Sequence, residues 1–329
     1  MAENLKPLRK WLILIGVVAV VAVASVLITS QTRVGGAMIR AFFYDMKPLR
    51  QTDPALISYD EQTRIKTGFE KVFGMALRPG GSVLVAGDYA VRMFAPDGQL
   101  SSEMKFADTP RCVAVDTDGT LYVGFQEHVE VLDATGARKA AWASFGTTAT
   151  LTAIALTPDA VFVADAGNRI VHQCDRTGKV TAPIGRKDDA RNIPGLVVPS
   201  PYLDVAPGPG GLLYVTNPGR HRIEAYTPSG DLETFWGKPS MQVQGFCGCC
   251  NPVSFAPRPT GGFVTSEKGI ARVKMLDAEG KLECVVAAPD LFGEDAFGVV
   301  VRLDDQGRVY VLDNGTRTVR IFSKRKAEK

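Results

Sequence analysis

Histidine and tryptophan are scarce in this chain, three of each among 329 residues, and the scarcity narrows the chemistry. With only His128, His172 and His221, a histidine-built metal centre is not expected. No serine nucleophile elbow, glycine-rich phosphate loop or paired-histidine zinc helix occurs in the sequence, and no catalytic residue is assigned. An excess of either charge is lacking as well: 38 basic side chains against 35 acidic give +3. The first fifty residues hold seven of the basic ones and two acidic, a balance of +5, which leaves −2 for the rest. A nucleic-acid reader needs a basic face on its folded part, so nucleic acid is set aside as a partner.

Long hydrophobic runs are missing too, with one exception. Trp11 to Ile28 reads WLILIGVVAVVAVASVLI, 18 uncharged residues, which at about 1.5 Å of helical rise each nearly cross the hydrocarbon layer. Lys6, Arg9 and Lys10 precede it, and Ala22-Val23-Ala24 offers a small-residue cleavage site. The run exceeds a typical signal core, so the reading is an uncleaved anchor. The expected organisation is a cytoplasmic tail (1–10), a transmembrane signal anchor (11–30), a stalk (31–55), a folded body (56–323) and a basic tail (324–329). The body is expected on the extracytoplasmic side, periplasmic or cell-surface.

What fills the body is a repeat. Six segments share a turn followed by an apolar strand: PGGSVLVAGD (from Pro79), TDGTLYVGFQ (from Thr117), TPDAVFVADAG (from Thr157), PGGLLYVTNPG (from Pro209), PTGGFVTSEKG (from Pro259) and DQGRVYVLDNG (from Asp305). Later turns end in Gly98, Gly136, Gly178, Gly230 and Gly280, supplying the positive φ of tight hairpins. A spacing of about 45 residues without helical periodicity predicts four-stranded blades around an axis. The fold class is therefore all-β, a six-bladed propeller. The last copy lacks a fourth strand, and Leu56 to Tyr59 is expected to supply it, closing the ring.

These blades resemble the NHL-repeat propellers, on Asp165-x-x-Asn168-Arg169-Ile170 in the third copy, Asn217 to Ile223 in the fourth and Arg272-Val273 in the fifth. The resemblance covers roughly residues 56–323. The first and second copies read as shorter in the loop between second and third strands, and the sixth has Thr318 where others have Arg. The resemblance implies binding through the face that carries those loops and the crossings between blades. Asn168, Arg169, Arg222, Glu267, Lys268 and Arg272 fall there, as turn residues and surface ion pairs or as a site for a protein partner or small acidic ligand. Some similar propellers are enzymes with a channel metal on acidic, Asn or His ligands. The three histidines here do not suit that arrangement.

One segment departs from the repeat: Phe246-Cys247-Gly248-Cys249-Cys250-Asn251-Pro252, in the crossing before the fifth blade. Gly248 lets the backbone fold tightly enough to aim sulfurs at one point, which admits a thiolate-bound metal such as Cu(I), zinc or part of an iron–sulfur centre. The usual C-x-x-C spacing is absent. Equally open is a disulfide from Cys247 or Cys250 to Cys284. Cys112 and Cys174 read as buried strand residues, and Lys268 is placed to lower the pKa of a neighbouring thiol. The sequence thus reads as a membrane-tethered binding or scaffold propeller. The alternative is a metal- or redox-dependent enzyme, or an accessory of membrane electron transfer, using the same cysteines.

Overall fold

The computed structural model describes residues 47–293 and 296–326. The expected tail and anchor lie outside them, as does most of the stalk. Among the described residues no helix is long and apolar enough to cross a membrane.

Alternating apolar segments separated by glycine turns cannot bury both faces of a sheet alone, so they stack. The described residues form twenty-four strands in six four-stranded antiparallel sheets. The innermost strands touch one another in a closed ring. Blade 5 shows the plan, with strands Ser254–Pro257, Phe263–Glu267, Arg272–Leu276 and Leu282–Ala287 running from the axis outward. The second strands of all six blades are buried along their whole length. Six apolar clusters lie between neighbouring blades and form the core. The hairpin glycines meet two demands at once. Gly178 has φ +93, and a Cβ there would come within 2.4 Å of the Trp142 ring.

Two expectations are corrected. The strand that completes blade 6 is Tyr59–Lys66, not Leu56 to Tyr59; it pairs antiparallel with Thr318–Lys324. Its sequence, YDEQTRIK, buries only Tyr59 and Ile65, because an outermost strand packs one face, and so it carried little apolar signal. Arg320 reaches across this seam to Glu61, its Nη2 2.5 Å from Oε2. The second blade's loop is not shortened: Phe125 to His128 matches the length of Ala166 to Arg169, and the two-residue Asp88-Tyr89 turn of blade 1 alone is short.

Candidate functional site

Strand direction alternates across a blade, so loops between second and third strands and crossings between blades share one face. The glycine hairpins occupy the other. At the crossing face the last residues of four successive second strands, Asp165, Asn217, Glu267 and Asp313, have no exposed area. Each meets a side chain seven residues later in the third strand. His172 Nε2 lies 3.0 Å from Asp165, Asn217 Nδ2 donates to Glu224 at 2.9 Å, Lys274 Nζ lies 3.0 Å from Glu267, and Arg320 Nη1 lies 3.5 Å from Asp313. Three of these pairs also hold the incoming crossing, through the backbone N–H groups of Thr150, Val197 and Cys247. Buried polar groups must be paired, and here the pairing ties crossing to blade.

That geometry corrects the expected docking set. Glu267 and Arg272 are buried and bound to each other, with Arg272 Nη2 2.9 Å from Glu267 Oε1; neither is offered to a partner. Arg222 is half spent as well, with its Nε donating to Glu224 at 2.7 Å and its guanidinium 4.0 Å above the Phe235 ring. The arginines of successive blades also differ in register. Arg222 and Arg272 open third strands, whereas Arg169 is the left-handed loop residue before one, with φ 57.

The cysteine crossing divides rather than converges. Cys247 is buried, its N–H on Glu267, and burial together with that carboxylate pushes its thiol pKa up. Cys249 is exposed and Cys250 buried, their sulfurs 3.0 Å apart. Among the described residues no three His, Cys, Asp or Glu side chains stand grouped to hold a metal ion, so the donors do not fit a three-thiolate centre. All six cysteines are free thiols. Cys284, opposite Met275 in the outer strand, packs between blades 5 and 6, and the expected disulfide to Cys247 or Cys250 is not formed.

What does surround Cys250 is polar. Lys268 Nζ donates to Ser200 Oγ at 2.9 Å, and Ser200 Oγ donates to Cys250 Sγ at 3.3 Å. Burial alone would raise the Cys250 thiol, but Lys268, Ser200 and Cys249 together hold it below its ordinary value. Lys268 also lies 5.3 Å over the Tyr202 ring. Ser200 and Tyr202 come from the long crossing between blades 3 and 4, where no motif marks them.

Tyr202 in turn lines an axial cavity of about 280 Å³. Its charged lining residues are Arg111, Arg302 and Asp204, two cations against one anion. Asp204 accepts from Arg302 Nη1 at 3.1 Å and Ser254 Oγ at 2.7 Å. Arg111 makes no ion pair among the described residues. A charged residue within the inner strand Val300–Leu303 was the available sequence signal for Arg302.

Asn168 and Arg169 border a separate cleft of about 590 Å³ with Arg186, Lys187 and His172. Asn168 is committed, donating to Asp165 at 2.7 Å and accepting from Thr148 Oγ1 at 2.7 Å. Arg169 is exposed. The expected single site is thus two, with no lining residue in common.

No family model and no curated protein matches the sequence. Solved structures match the fold. A streptogramin B lyase aligns at 10% identity with TM-score 0.59, covering 83% of this chain and 100% of that one. A virginiamycin B lyase from Staphylococcus aureus aligns at 11% identity with TM-score 0.59, covering 80% and 99%. A protein of unknown function from Bacteroides thetaiotaomicron aligns at 16% identity with TM-score 0.58, covering 82% and 73%. At these identities the likeness is one of fold, and the chain is a six-bladed β-propeller.

Proposed function

We propose that this chain is a membrane-tethered, extracytoplasmic, NHL-like propeller that binds acidic groups at its crossing face. The ligand is a small carboxylic acid, or an acidic side chain of a protein partner, seated in the mouth of the axial cavity. The observation that carries this reading is Arg111, which lines the cavity without a carboxylate while Asp204 neutralises Arg302. An unbalanced, half-buried guanidinium in a concave site favours an anion, and its planar fork matches a carboxylate. A volume near the lower end of the ligand-pocket range, roughly 300–1,000 Å³, suits a small ligand. Exposed Tyr89, Val197, Met241 and Phe297 stand on loops and crossings of the same face, as an interface for a protein donor of the acidic group requires.

The test is a calorimetric titration of the purified chain with citrate and with a short oligoglutamate peptide. Arg111→Gln is expected to weaken binding on the order of tenfold or more, as loss of one buried charge-assisted pair does, and Arg169→Gln to leave it unchanged. Equal affinity for wild type and Arg111→Gln would contradict the proposal.

A further inference from the structure

The cysteine crossing has a chemistry that acid binding does not use. Two of its three sulfurs are neighbours that differ in exposure: Cys249 is exposed, Cys250 is buried, and the gap between them is 3.0 Å. The backbone that carries them is held on every side. Gly248 takes φ +80, and its carbonyl accepts from His221 Nε2 at 2.7 Å. The Asn251 side chain donates to the Cys247 carbonyl at 2.6 Å and accepts from the Lys268 N–H at 2.8 Å, while its own N–H reaches the Pro218 carbonyl at 3.1 Å.

We infer that Cys249 and Cys250 form a reversible dithiol that exchanges with an external disulfide, Cys249 making first contact and Cys250 resolving. In the first step the Cys249 thiolate attacks a disulfide RSSR. A Cys249–S–S–R bond forms, the R–S–S–R bond breaks, and the leaving RS⁻ takes up the proton that Cys249 lost. In the second, the Cys250 thiolate attacks Cys249 Sγ and expels the second RS⁻. Two protein thiols become one disulfide, RSSR becomes two RSH, and two electrons pass from protein to RSSR. The oxidant is thereby named: a low-molecular-weight or exposed protein disulfide.

The environment assigns these roles. A resolving sulfur attacks as a thiolate held close to the first, and Lys268 and Ser200 shift Cys250 toward that form. The hydrogen bond to Cys250, then burial, raises the Cys249 thiol, but Cys249 is the exposed sulfur and so the one an external disulfide can reach. Closing the gap to an S–S bond of about 2.05 Å moves the sulfurs by roughly 1 Å. Adjacent Cα atoms stand about 3.8 Å apart, closer than the usual 4.4–6.8 Å or so across a disulfide. The product is consequently strained and readily reduced again, as suits an exchanging pair rather than a staple.

The experiment uses the full chain, reduced and then equilibrated with mixtures of reduced and oxidised glutathione, quenched with acid and alkylated for peptide mass spectrometry. Wild type is expected to give an internal Cys249–Cys250 disulfide, returned to two thiols by reduced glutathione. Cys250→Ser is expected to stop at a glutathione adduct on Cys249, and Cys249→Ser to give neither product. Lys268→Met is expected to fold and to resolve the adduct more slowly, on the order of tenfold, as its resolving thiol loses thiolate character. The inference is overturned if wild type stops at the adduct, if both thiols stay free at every glutathione ratio, or if Lys268→Met resolves as fast as wild type.

Discussion

Lys274 Nζ stands 3.0 Å from Glu267 Oε1 with neither side chain exposed, and the same ammonium donates to the carbonyls of Val243 and Gly245 at 3.0 and 2.6 Å. Glu267 in turn holds the Cys247 N–H. One buried pair therefore fixes the crossing on which Cys249 and Cys250 sit.

Because Glu267 also balances Arg272, its removal strands two buried cations. Glu267→Gln is expected to destabilise the chain by about 3–5 kcal/mol, the range for breaking a buried pair. Lys274→Met costs less, because the Arg272–Glu267 pair survives. Urea unfolding followed by circular dichroism measures both; a Glu267→Gln midpoint equal to wild type would show that the pair does not hold the crossing.

In blade 3 the corresponding pair responds to acid. Burial alone would raise the Asp165 carboxyl, yet hydrogen bonds from His172, the Thr150 N–H and Asn168 hold it below 3.8. Its contribution is fully present above pH 3.8, the unfolded value, and is lost as pH falls through the lower folded one. Asp165→Asn is expected to be less stable than wild type at about pH 6, with the difference shrinking toward about pH 3. A difference independent of pH would contradict the assignment.

Sidedness is open to a direct label. Cys249 is exposed and the other five cysteines are buried, so a membrane-impermeant maleimide, added to intact producing cells after mild reduction, should mark Cys249. Labelling absent from both intact cells and spheroplasts and appearing only after lysis would place the body on the cytoplasmic side.

The blade count was legible because glycine turns and fully buried second strands repeat at fixed spacing, as in Val83–Gly87 and Val309–Asp313. The closing strand Tyr59–Lys66 was misplaced because only two of its residues are buried. The site was legible only in part. Lys268 beside a thiol was anticipated, whereas Glu267 and Arg272 looked like surface charges because sequence does not reveal that a strand's last residue turns inward beneath a crossing. Ser200 and Arg111 had no signal at all. Each acts through an element far away in the chain, as the contact of Ser200 with Lys268 across 68 positions shows.

Hydrogen exchange of the full chain with and without saturating citrate tests the central claim most directly, because it reads every loop at once. Binding at the axial mouth predicts slowed exchange in the segments around Arg111, Tyr202 to Asp204 and Val253 to Ser254, with the hairpins at Gly98, Gly136 and Gly178 unchanged. Protection confined to those hairpins, or none at any segment, would contradict an acid-binding crossing face.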